Sequence, residues 1–225
     1  MAELTVTIDH LGALGDGVAE SPSGRLHIPF TAPGDRARVT ATGKGKAQLV
    51  EILEPGAARA EPACMHFGRC GGCAIQHLSA DFIADWKRQR VVDALARDGL
   101  DDVPVDRTLT IPPGTRRRAT LAAVRIGKRV LLGFAERASH RLVDLTECPV
   151  MRPELVALIP GLRAVLPALL NLGEEADFAL TWSEAGIDCV MIRAPNGYPP
   201  AIMLIKIGPC AFPMQLVLIA VRRHG

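Results

Sequence analysis

The sequence predicts an α+β fold, in which a small N-terminal β-barrel is followed by a mixed α/β domain that contains a metal site. Three observations support this prediction: short strand patterns within the first 56 residues, one well-capped helix pattern after residue 79, and three clustered cysteines between them. The 225 residues are enough for two domains. A content of 48% hydrophobic and 22% charged residues is typical of a globular protein with a buried core.

Residues 1–56 have the pattern of a small β-barrel. In ELTVTID, the apolar residues Leu4, Val6 and Ile8 alternate with polar ones, as in a half-buried strand. The stretch RARVTATGKGKAQLVEIL predicts a two-stranded hairpin that turns at residues 42–45. This close spacing of short strands fits an oligonucleotide-binding barrel and an SH3-like barrel without a ligand equally well.

A linker and a helix follow the predicted barrel. The Pro- and Ala-rich residues 55–62 place a domain boundary after residue 56, and the second domain is predicted to cover residues 57–195. The stretch LSADFIADWKRQRVVDALARDGL predicts a helix with Ser79 as its N-cap and Gly99 just beyond its last turn.

Two hairpins and an interrupted helix are predicted in the rest of the second domain. The stretch RRRATLAAVRIGKRVLLGFAE predicts a hairpin with Gly127 at its turn. The stretch RPELVALIPGLRAVLPALL predicts a helix that is broken near Pro160 and Gly161. A second hairpin is predicted in DFALTWSEAGIDCVMIRAP, with its turn at residues 184–186.

Charge is unevenly distributed along the chain, although the net charge is only +2. Between Thr110 and Arg152, nine Arg or Lys residues stand against three acidic residues, so this segment has a local net charge of +6 and is the candidate for a polyanionic partner. Residues 196–225 form an apolar but aperiodic tail. Because Lys206 and two prolines interrupt it, the tail lacks the roughly 20 apolar residues of a membrane span, and we expect no membrane contact.

The segment CMHFGRCGGCAIQH places Cys64, Cys70 and Cys73 within ten positions. The N-terminus has no signal-peptide pattern, which predicts a cytoplasmic protein, and clustered cysteines in that compartment bind metal more often than they form disulfides. A four-coordinate site needs one more ligand, for which Cys148 in LTECPV is the candidate. Four thiolates fit a [4Fe–4S] cluster or a structural zinc ion, and three clustered cysteines with a distant fourth favour iron–sulfur.

Other interpretations of the cysteine segment are weaker. A redox pair formed by Cys70 and Cys73 would need a thioredoxin-like βαβ setting, which the pattern lacks. A cluster for radical chemistry would need a gap of three residues between the first two cysteines, and the gap here is five. His66 and His77 could also be ligands, but each is interpreted as a loop or core histidine. The two glycines before Cys73 allow a tight turn and direct backbone amides at the sulfurs.

These residues resemble the RNA uracil-C5 methyltransferase family, whose members make 5-methyluridine in rRNA and tRNA. The resemblance runs in order from residue 4 to about residue 194. It includes a barrel similar to a TRAM domain, the cysteine segment, the helix DFIADWKRQRVVDAL, and the stretches TRRRATL and GFAERASHRLVDLTECPV.

The resemblance implies that the four cysteines at 64, 70, 73 and 148 ligate a [4Fe–4S] cluster, and that the barrel and the central domain bind RNA. The basic residues that it makes candidates for RNA contact are Lys44, Lys46, Arg116, Arg117, Arg118, Lys128, Arg129 and Arg137.

The chain departs from the family pattern after Pro195. In that family, methyl transfer takes place in a C-terminal Rossmann-like domain that binds S-adenosylmethionine, where a cysteine thiolate adds to C6 of a flipped-out uracil. No glycine-rich turn follows residue 195, and no acidic residue occurs there. Cys189 and Cys210 lack the expected surroundings, so no catalytic residue is assigned.

We therefore expect the N-terminal and central part of an S-adenosylmethionine-dependent RNA (uracil-5-)-methyltransferase, truncated or frameshifted near Pro195 and inactive alone. The alternative is a stand-alone RNA-binding iron–sulfur or zinc protein without methyltransferase activity.

Overall fold

The computed structural model of the protein describes residues 3–193, and the chain divides into two compact units. Unit 1 consists of the chain up to Gly68 together with Cys73–Thr110. Unit 2 consists of Arg69–Gly72 and, within the described residues, the chain from Ile111 to Arg193. The predicted apolar tail, residues 196–225, lies outside the described residues, and the predicted domain boundaries after residues 56 and 195 stay predictions. Neither helix of residues 3–193 has the length and apolar character of a membrane-spanning segment.

Unit 1 is built on a six-stranded sheet. Its strands are β1 (Glu3–Thr7), β2 (His10–Leu11), β3 (Gly17–Ser21), β4 (Gly24–Ile28), β5 (Arg36–Gly43) and β6 (Lys46–Glu54). They lie in the order β1-β5-β6-β4-β3-β2, and every pair is antiparallel except β4 and β6. No ladder joins β1 to β2 among the described residues, so closure of the sheet into a TRAM-like barrel stays a prediction.

The strand patterns of unit 1 are confirmed. Val6 and Ile8 are buried, as the alternation predicts, and they pack with residues of β3, β4, β5 and β6 in one apolar cluster. The β5–β6 hairpin turns where three successive residues adopt the left-handed conformation, with φ of 92° at Gly43, 54° at Lys44 and 69° at Gly45. The two glycines adopt this conformation without steric cost, whereas Lys44 carries a Cβ through it.

Helix α1 (Ala80–Arg97) follows the sheet in unit 1 and has the predicted ends. The hydroxyl of Ser79 accepts a hydrogen bond of 3.3 Å from the backbone N–H of Phe82, which satisfies one of the unpaired donors of the first turn. Gly99, with a φ of 73°, ends the helix. One face of α1 packs against Leu11, Ala32 and Leu78, and the residues that make this contact are Phe82, Ile83 and Trp86.

A buried ion pair joins the sheet of unit 1 to the segment before α1. The side chain of Asp35 is fully buried and accepts hydrogen bonds from the backbone N–H groups of Ala32 (2.6 Å) and Gly56 (2.8 Å), and from Arg59 Nε (3.0 Å). A second Arg59 nitrogen also contacts the carboxylate and donates to the carbonyl oxygen of Phe30 at 3.0 Å. Burial raises the pKa of Asp35, but the hydrogen bonds and the charge of Arg59 outweigh it and hold the pKa below 3.8.

Unit 2 is a five-stranded antiparallel sheet with a helix on one face. Its strands lie in the order β11-β10-β7-β8-β9. They are β7 (Arg118–Ile126), β8 (Arg129–Ala135), β9 (Leu142–Asp144), β10 (Glu175–Ser183) and β11 (Gly186–Arg193), with helix α2 (Pro153–Val165) and a 3₁₀ turn (Leu166–Ala168) between β9 and β10. Both predicted hairpins are confirmed. Two sheets with two helices confirm the α+β class.

The prediction of a break near Pro160 and Gly161 is wrong, because α2 runs without interruption through both residues. The apolar stripe of α2 (Leu155, Leu158, Ile159 and Leu162) is buried in the core of unit 2 and holds the helix in place. The ring of Pro160 lies on the exposed side of the helix and does not disturb this buried stripe.

Replacing Asp35 by asparagine removes the charge that compensates Arg59. We expect the free energy of unfolding to fall by about 3 kcal/mol, because breaking a buried ion pair leaves the other charge without its partner. Urea unfolding at neutral pH measures this loss. The control is Glu54→Gln, which breaks an exposed pair with Arg36 and is expected to cost about 0.5 kcal/mol or less. Equal losses in the two variants would contradict the assignment.

The same carboxyl makes stability depend on pH. Because the folded pKa of Asp35 lies below 3.8, its stabilising effect is complete above 3.8 and is lost as the pH falls through the folded value. We expect the thermal midpoint of the unchanged chain to decrease below about pH 4, and that of Asp35→Asn to decrease less. Parallel decreases in both proteins would show that other groups cause the acid sensitivity.

Candidate functional site

The four cysteines predicted to bind metal belong to both units. Cys64 and Cys73 are in unit 1, whereas Cys70 and Cys148 are in unit 2. All four are half-buried, and none is part of a disulfide. Within residues 3–193, no group of three or more His, Cys, Asp or Glu side chains is arranged so that it could hold a metal ion. The metal site and its set of four thiolate ligands therefore stay predictions.

Cys70 lies on a short segment that is fastened to the end of β8. Cys70 and Glu136 form an isolated antiparallel bridge, and the N–H of Gly71 donates to the carbonyl oxygen of Ala135 at 2.8 Å. A Cβ on Gly71 would lie 2.8 Å from the same oxygen, so only glycine fits here without a shift of the backbone. The N–H of Gly72 lies 3.4 Å from Cys70 Sγ and donates to it, as the sequence predicts for a turn that directs amides at a sulfur.

Cys148 lies at the edge of the core of unit 2. It packs against the apolar cluster that includes α2 and the core-facing residues of β7 and β10. The residues that follow it pair with the start of β7: the N–H of Arg116 donates to the Val150 carbonyl at 3.1 Å, and the N–H of Arg152 donates to the Arg116 carbonyl at 3.0 Å. Cys148 is therefore held on well-packed backbone.

The two histidines of the cysteine segment are placed as predicted. His66 lies in a turn, and His77 is 1% exposed in unit 1. His77 Nε2 donates to the Thr31 carbonyl oxygen at 3.1 Å, and the ring lies near Phe30 and Phe67. Burial, followed by the charge of Arg59, lowers the pKa of His77 below 6.5. His77 Nδ1 is buried and has no hydrogen-bond partner in the described part of the chain.

The eight basic residues predicted to contact RNA fall in three places. Lys44 and Lys46 are at the β5–β6 turn of unit 1. Lys128 and Arg129 are at the β7–β8 turn of unit 2, at the far end of β7 from Arg118. Arg116, Arg117 and Arg118 are together at the start of β7, with Arg137 just past the end of the antiparallel β8. Since β7 has nine residues, this arginine group and the turn group are about 26 Å apart along the strand.

The three consecutive arginines point to both faces of the sheet of unit 2. Successive side chains of a strand alternate, and Ala119, Leu121 and Ala123 of β7 face the core, so Arg117 lies on the core-facing side. Arg116 and Arg118 therefore point to the opposite face. All three side chains are exposed, and none forms an ion pair or hydrogen bond with the described residues.

Trp182 on β10 contacts two guanidinium groups. Thr181 pairs with Arg118, so Trp182 is directly across from Arg117, and its N–H donates to the Arg117 carbonyl at 2.8 Å. The guanidinium carbon of Arg117 lies 5.1 Å from the centroid of the indole ring, and that of Arg152 lies 3.6 Å from it. Glu154 binds Arg152 at 2.7 and 3.2 Å, and this contact lowers the pKa of Glu154.

This contact between Trp182 and the arginines was missed from the sequence. The hairpin containing Trp182 was predicted, but its pairing with β7 was not. The two-residue alternation of the strand could have indicated this contact, because it places the Trp182 ring at the strand end on the same face as Phe178 and Leu180.

Cys189 is excluded as a nucleophile. It lies on β11 and is fully buried in the core of unit 2. Burial raises the pKa of its thiol to about 12, so the thiolate is not populated at neutral pH. Cys210 lies outside the described residues.

The chain is similar to curated RNA methyltransferases over most of its length. An uncharacterised RNA methyltransferase of Brucella suis is 44% identical over 183 residues, which are 81% of this chain and 44% of the relative. One from Mesorhizobium japonicum is 42% identical over 188 residues, or 84% of this chain and 45% of the relative. The 23S rRNA (uracil(1939)-C(5))-methyltransferase of Pectobacterium atrosepticum is 35% identical over 190 residues, which are 81% of this chain and 42% of the relative. No protein-family model matches the chain.

These relatives place the chain in the class of RNA methyltransferases. It belongs to the RNA uracil-C5 methyltransferase family, as its sequence motifs predict. The chain spans about half the length of the curated relatives it matches.

Burial of Cys189 predicts a difference in thiol reactivity. At pH 8 we expect iodoacetamide to leave Cys189 unmodified in the folded protein, because its pKa is about 12 and the side chain is buried. Denaturation should expose it to complete modification. Peptide mass mapping of the folded and unfolded protein measures both states. Rapid labelling of Cys189 in the folded protein would contradict this placement.

Proposed function

We propose that this chain is the RNA-binding and cluster-binding part of an S-adenosylmethionine-dependent RNA (uracil-5-)-methyltransferase. The observation that carries the proposal is the group of three exposed, uncompensated arginines at the start of β7, in a chain whose relatives are RNA methyltransferases. The Pectobacterium relative is named for action on 23S rRNA, so rRNA is the proposed partner rather than tRNA. A cytoplasmic location follows from this proposal.

Electrostatic contact with phosphates is the proposed source of affinity. Arg116 and Arg118 point to the face of the sheet opposite α2, and Lys44, Lys46, Lys128, Arg129 and Arg137 supply further positive charge. Each phosphate neutralised by a cation releases counterions, which makes binding weaken as the salt concentration rises. By contrast, Arg193 is paired with Glu175 and Asp177 and adds little to this positive surface.

The cysteines at 64, 70, 73 and 148 are the proposed ligands of a [4Fe–4S] cluster. Their support is the donor chemistry: four half-buried thiols outside disulfides, with an amide directed at Cys70 Sγ and a glycine at 71 that no other residue replaces without strain. When bound, such a cluster would supply a rigid, thiolate-ligated anchor for the surrounding backbone. The role proposed for it is structural and RNA-positioning.

Methyl transfer is proposed for the whole protein, with S-adenosylmethionine as the methyl donor. Within residues 3–193, Cys189 does not meet the requirement for an activated thiolate. Unit 1 and unit 2 are therefore proposed to bind and orient RNA, and no catalytic residue is assigned among the described residues.

Replacing Arg116 and Arg118 together by glutamine tests the RNA-binding proposal. We expect weaker binding to rRNA fragments and a plot of log affinity against log salt that is flatter by about 1.4, because two phosphate contacts with single-stranded RNA are lost. The control is Arg36→Gln, which removes an exposed arginine that is already paired with Glu54. An unchanged salt slope in the double variant would show that these arginines are only a solvated strand end.

Anaerobic purification with visible absorption, iron and sulfide analysis tests the cluster. We expect a coloured protein with about four iron atoms per chain, and loss of colour and iron in Cys148→Ser. Cys189→Ala is the control, since this buried cysteine is not a proposed ligand and its loss should leave the iron content unchanged. A colourless protein with one zinc ion per chain would overturn the iron–sulfur assignment.

A further inference from the structure

The two arginines that contact Trp182 differ in how their charge is balanced. Glu154 binds the guanidinium of Arg152 through two hydrogen bonds, so this arginine is neutralised and packs closely on the ring at 3.6 Å. Arg117 lies at 5.1 Å, is exposed, and makes no hydrogen bond or ion pair with the described residues. Its five N–H donors are therefore all directed to solvent.

A purely structural role does not explain the charge of Arg117. Two guanidinium groups near one ring repel each other, and Glu154 compensates only Arg152. A neutral side chain of similar length at position 117 would cover the edge of the core equally well without this repulsion. Packing alone therefore does not require the uncompensated charge of Arg117, and features of this kind are expected at functional sites.

The geometry of Arg117 suits an unpaired RNA base. A guanidinium group that rests on an aromatic ring is held in a defined plane without using its donors. Its outer face is then available for stacking with a base, and its edges are available for hydrogen bonds to phosphate or base oxygens. Proteins bind single-stranded RNA through such planar stacking surfaces close to positive charge, and Arg116 and Arg118, which point to the opposite face, add positive charge at the same strand end.

We propose that Trp182 positions Arg117 as a stacking platform for an unpaired RNA base. Arg152, which is paired with Glu154, packs on the same ring and is assigned no contact with RNA. This inference rests on the proposed function, because it requires an RNA partner, and it adds a specific contact and a preference for single-stranded over duplex RNA.

Two methionine substitutions in the full chain separate the functional arginine from the structural one. The probe is a fluorescein-labelled single-stranded oligouridine, and anisotropy titrations give the affinity. We expect Arg117→Met to weaken binding about fivefold or more, with a thermal midpoint that is unchanged or higher. Arg152→Met should lower the thermal midpoint, because it removes the closer contact with the ring and leaves Glu154 unpaired. A lower midpoint with unchanged affinity in Arg117→Met would overturn the proposal and leave Arg117 as packing alone.

A lysine substitution distinguishes planar stacking from simple charge. Arg117→Lys keeps the positive charge but lacks the planar group. We expect it to keep most of the salt dependence of binding and to recover little of the affinity that Arg117→Met loses. Full recovery by lysine would overturn the stacking platform, because charge alone would then be sufficient.

The same oligouridine annealed to oligoadenosine tests the preference for unpaired bases. A base within a duplex is not available for stacking on Arg117, so Arg117→Met should weaken duplex binding less than single-strand binding. Equal weakening for the two probes would contradict the proposal. If the unchanged chain binds neither oligouridine nor rRNA fragments, the proposed function itself fails. If it binds them and Arg117→Met binds equally well, only this inference fails.

Discussion

The buried carboxylate of Asp35 is the interaction on which unit 1 depends. A fully buried charge is tolerated only when it is paired and hydrogen-bonded, and Asp35 obtains its donors from Ala32, Gly56 and Arg59. The chain after β6 must therefore return to the sheet. Backbone bonds from Ala60 to His77 and from Ser79 to Ala58 then join the two ends of the intervening segment. The loop that bears the clustered cysteines thus begins and ends on the scaffold that this ion pair holds.

Two arginines of unit 2 stabilise the unit through hydrogen bonds to backbone carbonyl groups. Arg125 donates to the carbonyl groups of Pro167 and Leu170, where the 3₁₀ turn leaves backbone acceptors without helical partners. Arg163 contacts Asp144 and the Leu145 carbonyl, which ties α2 to the end of β9. The local charge of +6 between Thr110 and Arg152 therefore overstates the positive surface, since Arg125 and Arg152 are used inside the unit. The contacts of each arginine identify the surface better than the count.

Local patterns in the sequence predicted the elements whose causes are local. The N-cap at Ser79, the glycine-containing turns and the alternation of β1 depend on neighbouring residues, so these predictions are confirmed. The continuity of α2 through Pro160 depends on burial of its apolar residues against the sheet. The helix-breaking preference of proline does not take this burial into account. Asp35–Arg59 and Trp182–Arg117 join residues 24 and 65 positions apart, so their contact follows from strand pairing that no single stretch shows.

The ligand set of the candidate metal site stays a prediction that rests on the spacing of the cysteines. All four thiols are half-buried and none is part of a disulfide. Their division between two units was not visible, since Arg69–Gly72 joins unit 2 through backbone contacts with Ala135 and Glu136.

The two glycines between Cys70 and Cys73 are required for unlike reasons. At Gly71 a side chain would meet the backbone of β8, which cannot yield without moving the strand, whereas at Gly72 the neighbours are Cys70 Sγ and the ring of Phe134 at 3.4 Å. Substitution should therefore be tolerated at position 72 before it is tolerated at position 71. The glycine after the second cysteine thus fixes the position at which this loop meets the sheet of unit 2, a constraint that is independent of any metal.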